Sequence, residues 1–183
     1  MKHIANLLFE VRILKEITRS GYAFLGSGRE SIAEHSFMTA FICFTMAKLD
    51  HTIDCEKLVT MALVHDIAEA RTGDFNYVQK KYSNIDEEKA ISHLIKSLTF
   101  GNDIKILLEE FNSGETMEAK LAQDADQISF ILELKKNKDT GAKGPEKWLP
   151  HVLNRLKTDI GRKIAQSIME TDWDEWWMND YSE

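Results

Sequence analysis

Apolar residues recur along this chain at spacings of three and four almost from end to end. Ile4, Leu7, Leu8, Val11, Leu14 and Ile17 open it with one amphipathic stripe, the period of an α-helix with one face on a core. Ser20-Gly21 through Ser27-Gly28 interrupts the pattern and reads as a loop. Ser31 followed by Glu34 forms a capping box, and the helix it opens runs through His35, Phe37, Met38, Phe41 and Ile42 toward Lys48. Asp54 caps the next helix, which is predicted to end near Arg71 with Gly73 as its breaker. Further helices are predicted from Ile85 to Leu98, from Asp103 to Phe111 and from Thr116 to Leu134, the last stopping where Asn137, Gly141 and Gly144 accumulate. A final helix runs from Pro145 or His151 to Met169, with Pro150 kinking or splitting it. No segment alternates as a strand does, and no internal repeat is visible. The pattern predicts an all-α fold.

Composition narrows this frame. A chain of 183 residues makes one domain with a substantial core, so residues 1–183 are read as a single unit. Apolar content of 43% with 29% charged residues describes a globular protein, and only 2 prolines and 9 glycines favour long helices. The formal net charge of -7 argues against a nucleic-acid partner, which demands an extended basic surface. An anionic small substrate is compatible with it, because a metal and one arginine reverse the field locally. Cys43 and Cys55 lack paired spacing and read as buried thiols of a reducing compartment. Glu10, Arg12, Lys15 and Glu16 break up the N-terminal apolar pattern, so no membrane span or signal peptide is expected there and the expected location is the cytoplasm. The lysines between Lys135 and Lys147 read as a solvated helix end and loop. In the acidic tail, Trp173, Trp176 and Trp177 are expected to pack on this subunit or on a partner subunit.

The candidate chemistry starts at His65-Asp66, an adjacent imidazole and carboxylate in the apolar stretch LVTMALVHDIAEARTGD. Together they offer one nitrogen and one oxygen to a divalent metal. On a helix both can lean toward one ion, and Glu69, four residues after His65, shares that face. Burying such polarity among aliphatics is costly unless something satisfies it. His35 follows Glu34 in SIAEHSFMTAF, and Asp126 sits in AKLAQDADQISFILEL without a basic residue three or four positions away. A solvent-facing role suits Asp124 better than Asp126. Alone, each member has an ordinary structural explanation; the order His, His-Asp, Asp is far more specific.

Those residues carry a resemblance. ESIAEHS, LVHDIAEARTGD and AQDADQISF closely resemble the matching segments of the HD-domain metal-dependent phosphohydrolases, in the branch of the 5′-deoxynucleotidases, which remove phosphate from deoxynucleoside monophosphates. The similarity extends from about Ile4 to the C-terminal helix and implies a single-domain HD-domain helical bundle. It implies that His35, His65, Asp66 and Asp126 bind one divalent metal, that Glu69 and Asp74 are the family's additional acidic residues, and that Arg19 is its arginine near the end of the first helix. Family members resembling this one place tryptophan shortly after that arginine, as a wall against a ribose 2′-hydroxyl; here Ser20, Gly21 and Tyr22 stand instead. Tyr22 is the candidate sugar contact.

Two imidazoles and two carboxylates without thiolates suit manganese, cobalt, iron or nickel, with zinc also compatible. Arg19 offers a fork of donors to phosphate oxygens, and Glu69 or Asp74 would orient water or manage the proton at the leaving 5′-oxygen. Glu69 could instead pair with Arg71 or a neighbouring helix, and Asp74 could cap a following turn. The expected activity is hydrolysis of (deoxy)nucleoside 5′-monophosphates. Two alternatives are a superfamily phosphohydrolase acting on a nucleoside triphosphate or cyclic nucleotide, and a regulatory module that binds nucleotide without turnover. The intact acidic set and the absence of an appended domain favour the first reading. A homodimer is expected, from the apolar stripe of the first helix, the tryptophans of the tail and the habit of related nucleotidases.

Overall fold

The structure, a computed structural model, describes residues 1–182. Its elements in chain order are α1 (Lys2–Arg12), a 3-10 turn (Ile13–Lys15), α2 (Tyr22–Leu25), α3 (Ile32–Leu49), α4 (Cys55–Val64), α5 (Glu69–Thr72), α6 (Tyr77–Lys80), α7 (Glu87–Ile95), α8 (Gly101–Ser113), α9 (Met117–Asp139), α10 (Pro145–Leu153), α11 (Asp159–Glu170), α12 (Glu175–Met178) and a terminal 3-10 turn (Asp180–Ser182). The described residues contain no strand beyond a single bridge between Thr18 and Ser31. The all-α expectation holds. None of the described helices is long and apolar enough to cross a membrane.

α9, with 23 residues, is the axis of the bundle, and α3, α4, α8, α10 and α11 all pack against it. Packed by helices on several sides, α9 spreads its buried apolar residues around much of its circumference. Leu121, Ala122, Ala125, Ile128, Ile131 and Leu134 are accordingly fully buried, meeting Cys43 and Met46 of α3 and Leu58, Met61 and Ala62 of α4. The alanines let backbones approach, and each large side chain removed from water contributes about 1.5–3 kcal/mol. A smaller cluster of Ile67, Leu94, Ile104 and Leu108 sits to one side, covered by Leu7 and Val11 of α1. α1 is further fixed by Arg71, which pairs with Glu10 through Nε and donates from Nη2 at 2.9 Å.

The caps follow the sequence. Ser31 and Glu34 form the capping box of α3, and Asp54 accepts from the Lys57 amide at the start of α4. Several boundaries differ. α1 stops at Arg12 because the chain straightens to pair with residues 30–32: the Arg19 amide donates to the Glu30 carbonyl at 2.9 Å and the Ile32 amide to Ile17 at 3.0 Å. The Ser20–Gly28 loop holds one helical turn, α2, closed by Gly26 in the left-handed region at φ 78°. α9 runs on to Asp139, where Lys135 pairs with its carboxylate. Lys135 is therefore buried rather than solvated, while Lys136, Lys138, Lys143 and Lys147 are exposed as expected.

The final helix does split, but not at Pro150, which lies inside α10. The break falls between α10 and α11, where the Asp124 carboxylate accepts from the Lys157 amide (2.7 Å), the Thr158 amide (2.8 Å) and the Thr158 hydroxyl (2.6 Å). Asp124 is fully buried, which corrects its expected solvent-facing role. Gly161 at the start of α11 permits this, since a Cβ there would strike that carboxylate. In the tail, Trp173 is 38% and Trp176 is 76% exposed, so Trp176 is not packed on this subunit.

Candidate metal centre

The helix carrying His65 and Asp66 is not continuous to Arg71. α4 ends at Val64, and residues 65–68 form a tight turn in which the Ile67 amide donates to Val64 (3.0 Å) and the Glu69 amide to Asp66 (3.0 Å). These are bonds over three residues, tighter than the α-helix. His65 closes the turn, because its Nδ1–H donates to the Ala62 carbonyl at 2.7 Å. A carbonyl only accepts, so the contact fixes Nδ1 as the protonated nitrogen and sends Nε2 inward. His35, wholly buried one turn into α3, is held in the same manner, its Nδ1 3.1 Å from the Ser129 hydroxyl. Such contacts orient the histidines of metal sites.

The inward atoms converge. His35 Nε2 lies 3.0 Å from Asp126 Oδ1 and 3.7 Å from Asp66 Oδ2, and His65 Nε2 lies 3.0 Å from Asp66 Oδ2. Ligand atoms of His35, His65 and Asp126 all fall within 4.8 Å of one another. Despite these separations, neither Nε2 has a properly directed hydrogen-bond partner among the described residues, and neither does the buried Glu69 Oε2. Buried polar atoms left so cost free energy. Atoms aimed at a common centre, not at one another, are what a cation needs. Two imidazole nitrogens and two carboxylates fit a divalent ion of borderline hardness. The structure thus brings together the four residues expected to bind metal.

Charge in the cluster is strongly coupled. Burial presses the His65 imidazolium down, but Asp66 and Asp126 outweigh it and hold the ring up at about 9. Burial keeps His35 below the ordinary histidine range. Asp66 and Asp126 are pressed up by burial, yet the histidines hold both below the usual carboxylate range, with Arg19 assisting at Asp126. Glu69 is pushed up to about 9 by burial and by Asp66 and Asp74.

Arg19 reaches the same carboxylates. Its Nη1 is 3.5 Å from Asp66 Oδ2, its Nη2 is 3.9 Å from Asp126 Oδ1, and a fifth of the side chain stays exposed. Burial disfavours its charge, but Asp126, Asp66, Glu30 and Asp74 together raise its pKa above the ordinary value. Asp74 does not cap a turn: it accepts from the Ser20 amide (2.6 Å) and hydroxyl (3.1 Å), securing the residue after Arg19. Glu69 does not pair with Arg71, which is taken by Glu10. Tyr22 is 5% exposed, with its ring edge-on to Phe130 and its hydroxyl donating to Glu30 Oε2 at 3.3 Å. It faces Glu30 and not the open side of the cluster.

Three contributors escaped the sequence reading. Ser129 follows Asp126 by three residues and so shares its face of α9, a signal that was present in the spacing. Glu30 stood in the quoted ESIAEHS segment, but only the fold brings its carboxylate beside Arg19. Ser20 had no sequence signal. A groove of about 1260 Å³, lined by Lys120, Ile160, Lys163, Ile164 and Trp173 among others, shares none of the metal-centre residues.

The profile of the HD domain matches residues 11–169. The chain belongs to the HD-domain family. Its curated relatives include the 5′-deoxynucleotidase HDDC2 of Danio rerio, 27% identical over 139 residues, or 73% of this chain and 68% of that protein. The 5′-deoxynucleotidase hdd1 of Schizosaccharomyces pombe is 31% identical over 131 residues, 66% of this chain and 65% of its own length. Among solved structures, a conserved hypothetical protein from Pyrococcus furiosus superposes with a TM-score of 0.77 at 29% identity, covering 91% of this chain and 99% of that one.

Proposed function

We propose that this HD-domain protein hydrolyses the phosphomonoester of nucleoside 5′-monophosphates, with deoxynucleotides preferred. The observation that carries the reading is the convergence of His35, His65, Asp66 and Asp126 on one centre with the Arg19 guanidinium beside it. The names of the curated relatives support the same substrate class. His35, His65, Asp66 and Asp126 would hold one divalent ion, of manganese, cobalt, iron, nickel or zinc, which would polarise the phosphate and lower the pKa of water.

The remaining work falls to the chain's own groups. Arg19 binds phosphate oxygens through its fork of N–H donors and offsets their charge, a task lysine performs less well. Burial, Asp66 and Asp74 push the Glu69 carboxyl up to about 9 and so strengthen its hold on a proton. It is thereby suited to give that proton to the departing 5′-oxygen, the general-acid half of the reaction. Asp74 acts through Ser20, holding the Arg19 loop against the turn after His65.

The reading includes a homodimer. Leu8 and Phe9 of α1 (64% and 71% exposed) and Trp176 leave apolar surface suited to burial against a second copy. The test of function is phosphate release from matched deoxy- and ribonucleoside mono- and triphosphates and cyclic nucleotides, each with manganese, cobalt, nickel, zinc and magnesium. Metal-dependent release from deoxynucleoside monophosphates is expected. Turnover confined to triphosphates or cyclic nucleotides, or to ribonucleotides, would overturn the reading.

A further inference from the structure

Glu30 is 4% exposed, yet the three charged or polar groups around it belong to different parts of the site. Its Oε2 lies 3.3 Å from the Tyr22 hydroxyl, 3.9 Å from Arg19 Nε and 4.0 Å from His35 Nδ1. Its own carbonyl accepts the Arg19 amide at 2.9 Å. The residue therefore meets Arg19 twice, by a backbone hydrogen bond and by a side-chain ion pair at Nε, while Nη1 and Nη2 face Asp66 and Asp126.

Tyr22 secures this grip. Its ring lies edge-on to Phe130, with ring centroids 6.2 Å apart. On another side the ring is closed off by Gly28, at φ 79°, where an added Cβ would come within 2.9 Å of the Tyr22 ring and of Asn137. A ring so enclosed has one direction for its hydroxyl, and that direction is Glu30. The Tyr22 amide also donates to the Arg19 carbonyl at 3.4 Å.

We infer that Tyr22 and Glu30 are positioning residues that aim the Arg19 guanidinium at bound phosphate, and that Tyr22 is not a wall against the sugar. The inference rests on the reading of Arg19 as a phosphate ligand, and it replaces the sugar-contact role expected of Tyr22. A free arginine side chain samples many rotamers, and fixing it before binding removes that cost from every encounter with phosphate. Arg19 is held at three edges: Glu30 at Nε, Asp66 at Nη1 and Asp126 at Nη2. Of these only Glu30 lies outside the four residues proposed to bind metal, and because its Oε2 is 4.0 Å from His35 Nδ1, manganese content is measured in every variant.

The test is a double-mutant cycle on inorganic phosphate binding, measured by calorimetry on manganese-loaded wild type, Glu30→Gln, Arg19→Ala and the double variant. Glu30→Gln keeps a partner for the Tyr22 hydroxyl and removes the carboxylate that faces Arg19 Nε. It should raise the phosphate Kd about fivefold, the order expected for one ion-pair contact. In the Arg19→Ala background it should change nothing further, with manganese content equal in all four proteins. An equal cost in both backgrounds would mean that Glu30 serves only the fold, and would overturn the inference; so would phosphate binding indifferent to Arg19→Ala. Tyr22→Phe, which keeps the packed ring, should weaken phosphate in the same direction by a smaller factor and leave the deoxy-to-ribo ratio of kcat/KM unchanged. A shifted ratio would return Tyr22 to the sugar. Phosphate binding that obeys the cycle in a protein inactive toward nucleoside monophosphates would sink the proposed function and leave the positioning role standing.

Discussion

Asp124 and Asp126 stand two residues apart on the central helix α9, one facing the α10–α11 junction and the other the histidines. They lie on opposite sides of the helix, Asp124 fully buried and Asp126 with a quarter of its side chain exposed. Asp124 is met there by two amides and a hydroxyl at 2.6–2.8 Å, so both of its oxygens are hydrogen-bonded. Asp126 accepts from Gln127 Nε2 at 2.8 Å through Oδ2, while its Oδ1 lies 3.0 Å from His35 Nε2, which makes no directed hydrogen bond. A buried acid satisfied by backbone donors holds a fold together. One that shares a centre with other unsatisfied ligand atoms carries a standing cost, and a bound cation would remove it.

The comparison breaks most visibly through loss of turnover. Asp66→Ala, which removes a charged ligand from the Asp126 side, should abolish phosphate release while the thermal midpoint stays near wild type; retained turnover would show that the cluster is not the reaction centre. Glu69→Gln comes next, since it keeps the side chain's shape and removes its exchangeable proton. It should lower kcat by about 10²–10⁴-fold with metal content unchanged, and wild-type kcat in that variant would leave Glu69 a structural role only.

On the other side of α9 the expected loss is stability. Asp124→Ala strands the Lys157 and Thr158 amides, an effect of about 3 kcal/mol, read as a fall in melting temperature of roughly 6–12 °C. The manganese affinity of the folded protein should not move. The smallest effect should come from Ser129→Ala, which frees His35 Nδ1 and should weaken manganese binding about 10–100-fold, the usual cost of losing such a support. Titration calorimetry on that variant checks it, and unchanged affinity would mean that α3 alone orients His35.

Much of this was legible in the chain. The capping box at Ser31 and Glu34 is a local exchange of hydrogen bonds, and the order His35, His65-Asp66, Asp126 marked a set of side chains that the fold does bring together. What stayed hidden depends on distant neighbours. The turn after Val64 forms because His65 captures the Ala62 carbonyl, and a helical period cannot announce that. Asp124 read as solvated because only the packing of the α10–α11 junction against α9 supplies its donors. Lys135 read as solvated because its partners Asp139 and Asp172 surround it only once the helix extends and the tail returns. Tyr22 stood at the right distance from Arg19 in sequence, but the enclosure of its ring turned it toward Glu30.

The most direct measurement is a manganese titration of three proteins side by side: wild type, Asp126→Asn and Asp124→Asn. Wild type and Asp124→Asn should each bind one manganese per chain with similar affinity, and Asp126→Asn should lose that binding while remaining folded. No manganese uptake by wild type, or equal uptake by Asp126→Asn, would contradict the assignment of a metal centre to the Asp126 side of the helix.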